Sequence, residues 1–300
     1  DSSDDKLTFS SAVEQAGIAI VATSNGIFAY EVDADSVAAI TALGPQDVAG
    51  TTFKALDLYA YLLLPAATTD GDVVNAIAYL ASATGATKNP TGNLAGYWVN
   101  RRDLVAPKFS DIDWSGVTAV NSAWQECRSL TSFPSVDLSG ATTFNSAWYI
   151  TGGALTSFPK VDLSSGTDFS HAWRINTAMT SFGNCIFSTD ADDDISFNAA
   201  WFGCSALTSF PALNLSRGTN FNDTWHACNA LESFGECTFS TDADDDVNFT
   251  NAWNSCAALT SFPALNLSRG TNFNQAWRNC TGLTSFPVVT FTTDADDDVN

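Results

Sequence analysis

The sequence predicts an α+β unit followed by a right-handed solenoid whose coils stack their strands into a parallel β-sheet. Three observations predict it. Trp recurs at Trp124, Trp148, Trp173, Trp201, Trp225, Trp253 and Trp277, so that successive differences are 24, 25, 28, 24, 28 and 24 residues. The segment LTSFPALNLSRGTNFN stands at 207–222 and again, unchanged, at 259–274. The first 105 residues show no such period. A period in this range is the signature of stacked supersecondary units, none of which can bury its apolar face alone.

Residues 1–105 read as an α+β docking or oligomerisation unit. GIAIVATSNGIFAYEV (17–32) alternates around Ser24-Asn25-Gly26, a hairpin signal. DADSVAAITAL (33–43) and DGDVVNAIAYLASATG (70–85) have acidic starts and Ala-rich interiors, which predict helices. Residues 106–122 read as a junction and cap, and 123–300 as about seven coils.

Within a coil, other positions keep step with the Trp. Four residues before it stands Val120, Phe144, Phe169, Phe197, Phe221, Phe249 or Phe273. Beyond it come a Leu or Met (Leu130 to Leu283) and then a Phe preceded by Ser (Phe133 to Phe286). Short alternating pieces such as VDL and LNL predict strands, SRGT predicts a turn, and the stretch ending in AW predicts one helical turn. Strands stacked in this way lie about 4.8 Å apart. One Trp and two Phe per coil, each removing about 150–250 Å² from water, supply the stacking energy. The result is a solenoid of the leucine-rich-repeat kind. The identical segments are adjacent coils copied as a pair of one short and one long coil.

NFNQAWRNCTGLTSFP (272–287) and its relatives resemble the BspA-type leucine-rich repeats, a family of unknown function first noted in mycoplasma surface proteins. Their plan is Thr-x-Met-x-x-Met-Phe-x-x-Cys-x-x-Leu-x-x-Leu-x-Leu. This chain has Phe and Ala-Trp at the Met and Met-Phe positions, a variant similar to repeats of marine phage structural proteins. The resemblance covers about residues 117–300. It implies a surface-displayed binding or structural module and does not imply an enzyme.

Composition narrows the partners. Twelve basic against 33 acidic residues give a formal charge of −21. Such a chain repels nucleic-acid phosphates and anionic membrane surfaces. The most apolar stretch, LYAYLLLPAA (58–67), is too short to span a bilayer. The chain opens on Asp1 and ends inside a repeat, so a longer natural protein is expected.

Several constellations could carry chemistry. Cys127, Cys204, Cys228, Cys256 and Cys280 each follow a Trp by three residues, while Cys185 and Cys237 occupy an apolar slot of the repeat. They read as core-lining thiols, with disulfides between adjacent coils or a metal site as the alternatives. The acidic loops STDADDD (188–194 and 240–246) and TTDADDD (292–298) lie in the lengthened coils. Asp190, Asp192, Asp194, Asp242, Asp244, Asp246, Asp294, Asp296 and Asp298 alternate as calcium ligands do, although the Gly and distal Glu of the helix-loop-helix calcium loop are missing. The alternative is a solvated acidic edge that resists aggregation. No other cofactor is implied. The Trp ladder reads as core rather than as a carbohydrate platform. The polar residue three before each Trp (Asn121, Asn145, Ser170, Asn198, Asn222, Thr250, Asn274) reads as a ladder satisfying turn backbone. His171 and His226 fall at different repeat positions and read as surface substitutions. A row of outward residues, Asp137, Asp162, Ile186, Asn214, Thr238, Asn266 and Thr290, is the candidate binding face.

No nucleophile elbow, phosphate-cradling loop or zinc signature is present. The expected role is a non-enzymatic, extracellular structural or binding protein. On a virion it would be a decoration, fibre or appendage whose residues 1–105 contact capsid, tail or a second copy. On a cell surface it would be an adhesin for a host glycan or protein. A glycan hydrolase using paired carboxylates is the enzymatic alternative.

Overall fold

The computed structural model describes residues 91–96, 98 and 113–291, apart from 152, 191 and 243, together with the backbone of strands within the first 107 residues. In that first part Gly17–Thr23 pairs antiparallel with Gly26–Val32, and Thr23 opposes Gly26, as the Ser-Asn-Gly signal predicts. Leu58–Pro65 pairs with the outer edge of the first strand and Leu104–Pro107 with that of the second. The apolar run at 58–67 is therefore largely a sheet strand. Ala42–Leu43, expected as the end of a helix, pairs antiparallel with Leu7–Thr8. The rest of that helix and the one at 70–85 lie outside the described residues.

The second part is a parallel β-solenoid of about eight turns. Ladders run at three places in each coil. Ser157–Phe158, Ser181–Phe182, Ser209–Phe210 and Ser233–Phe234 form one parallel sheet, Ser opposite Ser and Phe opposite Phe. Ile195–Ser196, Gly218–Asn220, Val247–Asn248 and Gly270–Asn272 form a second. Bridges Asp137–Asp162, Asp162–Ile186 and Asn214–Thr238, with Asn266–Leu267 on Thr290–Phe291, mark the third.

The expected helical turn before each Trp is absent, since no helix occurs among the described residues. A run of linked turns replaces it. Ala147 N–H donates to Phe144 O, and Tyr149 N–H to Ser146 O. Every second N–H leaves the coil instead: Ser122, Trp124 and Glu126 donate to the carbonyls of Asn145, Ala147 and Tyr149 in the next one. A helix would spend those donors internally and leave none for its neighbour. The geometry requires a left-handed backbone at two places per coil, such as Ser122 and Glu126 or Asp223 and Ala227. Asn, Asp and Gly suit this conformation, and the chain places Asn251, Asn279 and Gly203 there. β-Branched Ile150 and Ile175 occupy it too, held by the inter-coil bonds of their own N–H groups to Arg174 O and Phe202 O.

These bonds set the rise at which the rings stack. From Trp98 to Trp277, eight indoles lie one above another, with centroids 5.0–5.9 Å apart and planes within 12° of parallel. Phe133 to Phe286 form a second column at 5.3–5.9 Å, standing nearly perpendicular to the indoles they touch. Phe144 to Phe273 form a third at 4.9–5.4 Å. Trp124 to Trp253 are fully buried. Each stacked pair adds about 0.5–1.5 kcal/mol to what area burial supplies.

The column begins earlier than the sequence periodicity. Leu94, Gly96 and Trp98 donate their N–H groups to Ala119, Asn121 and Ala123, and Trp98 stacks on Trp124. Trp114 closes that end, 6.2 Å from Trp98 and 6.3 Å from Trp124. At the other end Trp277 is half-buried, and Phe286, Phe291 and Val288 are exposed.

Candidate functional site: acidic loops and arginine turns

The three-ladder coil puts the SRGT turn of a short coil beside the acidic loop of a long one. Gly218 makes the close turn possible, because a Cβ there would lie 2.2 Å from the Phe221 ring. Arg217 can therefore lie flat along the edge. Its Nε donates to the carbonyl of Asp193 in the loop before it, at 3.2 Å. Its Nη1 lies 3.7 Å from the Asp245 carboxylate and 3.9 Å from that of Asp242, in the loop after it. Arg269 repeats the first of these contacts, with Nε donating to Asp245 O at 3.2 Å, and is buried. Guanidinium groups thus alternate with carboxylate loops along the edge. Like charges stacked every second coil are partly relieved in this way.

Each loop is also tied internally. Ser188 Oγ–H donates to the Asp193 carboxylate, and Ser240 Oγ–H to Asp245. The same hydroxyls accept the N–H groups of Asp190 and Asp242, whose carboxylates in turn accept from Asp192 and Asp244 N–H. Asp192, Asp194, Asp244 and Asp246 are exposed. Among the described residues no group of three or more His, Cys, Asp or Glu is placed to hold a metal ion. Asp294, Asp296 and Asp298 lie outside those residues. The carboxylates that the edge uses are Asp193, Asp242 and Asp245. Asp193 and Asp245 were missed because alternation was read instead of the Arg standing one coil away.

The outward row has a structural task. Asp137, Asp162, Asn214 and Asn266 each accept, through the side-chain oxygen, the N–H of the Ser two residues on, at 2.9–3.1 Å. Asp137, Asn214, Thr238, Asn266 and Thr290 are exposed, and Ile186 is 41% exposed. The polar ladder before each Trp is shifted from expectation as well. The side chains that cap the turn are Asp168, Ser196, Asn220, Asn248 and Asn272. They accept the N–H groups of Ser170, Asn198, Asn222, Thr250 and Asn274, the residues expected to do that work.

Thiols and indoles belong to the core. All seven cysteines are free, and all but Cys280 are buried. Cys204, Cys228 and Cys256 each donate S–H to the carbonyl of the Trp one coil back, at 3.2–3.3 Å. Burial pushes the Cys185, Cys204 and Cys237 thiols up to about 12, and Cys228 and Cys256 also well up. Thr151 and Asn176 replace Cys in two coils; Asn176 donates to both Trp148 O and Trp173 O and accepts from Thr151.

The histidines lie on a half-buried outer column. Arg174 stands 4.5 Å over the Phe202 ring, and Phe202 meets His226 at 4.8 Å. His226 Nδ1 bonds the Asp223 carboxylate at 2.8 Å. Burial, followed by the charge of Arg174, holds His171 below the usual imidazole range.

Set beside family models, curated proteins and solved structures, the chain has no match.

Proposed function

We propose that the chain is a non-enzymatic structural and binding module displayed outside the cell, as a decoration, fibre or appendage of a virion, with residues 1–105 docking it to capsid, tail or a second copy. The observation that carries this reading is the continuous column of stacked rings, held by backbone bonds between coils at every turn. Among the described residues, several side chains that could do chemistry are spent on that column or on its turns. The thiols bond carbonyls inside it, and the Asp and Asn of the outer row hold the corners. A right-handed coil akin to the BspA-type repeats belongs to the same reading.

A second reading, a cell-surface adhesin for a host glycan or protein, draws on one feature. The TSF strands set exposed Thr and Ser side by side in successive coils, at Thr156-Ser157, Thr180-Ser181 and Thr208-Ser209. Such rows present hydroxyls at a constant interval to a repetitive partner.

Immunogold labelling of purified virions and of the cells that produce them tests the proposal. Label on regular particle positions, lost when residues 1–90 are deleted so that the Trp98 rung is kept, supports the first reading. Label confined to cell walls supports the second. Label in neither place contradicts both.

A further inference from the structure

The acidic edge contains its own comparison. Loop 240–246 is approached from the preceding short coil by Arg217 in the turn Ser216-Arg217-Gly218-Thr219. Loop 188–194 is approached by the corresponding turn, Ser164-Ser165-Gly166-Thr167, in which Ser165 stands at the arginine position. A serine side chain is too short to reach across the loop as Arg217 does. An open surface cleft of about 590 Å³ lies there, lined by Ser164, Ser165, Phe187, Ser188, Asp190 and Asp193 among others. The corresponding residues one repeat pair on are Ser216, Arg217, Phe239, Ser240, Asp242 and Asp245. There the guanidinium lies against the two carboxylates, and Asp245 is 8% exposed, whereas Asp193 remains half-buried.

We propose that the pocket at Ser165, Asp190 and Asp193 receives the guanidinium of an arginine side chain from another polypeptide, in the position that Arg217 fills within the chain itself. The two acidic loops share the same internal bonds, from Ser188 to Asp193 and from Ser240 to Asp245, so the receptor is built whether or not an arginine is supplied in cis. Guanidinium is favoured over a hard divalent cation by the acceptor set. Two carboxylates already engaged on one oxygen each suit a planar donor, while calcium seeks six to eight oxygens. The charge of −21 draws basic partner surfaces toward this edge. The inference stands apart from the question of which surface displays the chain.

The test titrates the full chain with arginine amide, lysine amide and calcium chloride, following residues 188–194 by NMR. The expected result is saturable binding of arginine amide that weakens with salt, at least about tenfold weaker in Ser165→Arg, where the pocket is filled in cis. Asp190→Asn, which keeps the loop's backbone bonds, is expected to lose most of the binding and guards against misfolding of the first variant. A basic peptide and a second copy of the chain, offered separately, then identify the source of the arginine. Equal binding to wild type and Ser165→Arg would overturn the proposal. So would no saturable binding, or calcium displacing arginine amide at equal concentration.

Discussion

The Trp side of the coil and the acidic side solve the same stacking problem by different means. On the Trp side the coils from Trp148 to Trp277 repeat one solution, with an indole, two Phe columns and a backbone donor at every second residue. On the acidic side the coils differ in length, in loop and in whether an arginine is present. The first is a sum of closely similar neighbour contacts, varied where Val120 stands in a Phe slot and Thr151 or Asn176 in a Cys slot. The second is a chain of pairings between unlike coils, and one missing partner leaves a pocket without breaking the stack. Stability therefore resides on the first side and individuality on the second.

Removing one rung tests the first half of that contrast. Trp201→Ala empties a site touched by Trp173, Trp225, Phe182 and Phe210, and is expected to cost about 3–5 kcal/mol in denaturant unfolding. Trp277→Ala, at the exposed end, is expected to cost less than half as much. Equal costs would mean that neighbour stacking does not set the stability. Where the two sides meet, Gly218→Ala drives a methyl into the Phe221 ring and is expected to cost about 1–3 kcal/mol by the same assay.

Arg217→Ala tests the second half. It removes one donor to Asp193 O and the cation beside Asp242 and Asp245. An expected loss of about 1–2 kcal/mol accompanies faster amide exchange in 188–194 and 240–246 together, with the Trp turns unchanged. Loosening confined to one loop would show that Arg217 does not bridge them.

Much of this was legible in the sequence, because a core made of identical rungs repeats at a fixed interval. Trp, Phe, Leu and Cys in phase identified the buried set and the parallel stack. Trp98 escaped because its coil shares little else with the motif, although its ring stacks like the rest. The turn at AW carries a helix-like pattern in sequence because side-chain spacing does not report where alternate N–H groups go. The arginine bridges escaped for a related reason: Arg217 and the residues it contacts are 24 or more apart in sequence and adjacent only once stacked.

Alkaline pH separates the two sides as well. Buried thiols at about 12 sit on the core side, against an unfolded value near 9.0. Their contribution is complete below pH 9 and is lost as pH rises toward 12, since the unfolded chain releases the proton first. Stability should fall over that window, with each such thiol steepening the slope. Cys204→Ala should lessen the slope; an unchanged slope would contradict the assignment.

Fluorescence quenching tests the stacked column most directly. All nine tryptophans are within the described residues, and only Trp277 is more than 3% exposed among those of the column. Acrylamide should therefore quench a minor component of a blue-shifted native emission, and Trp277→Phe should remove that component. A large quenchable fraction surviving in Trp277→Phe would place other indoles in water and contradict the solenoid.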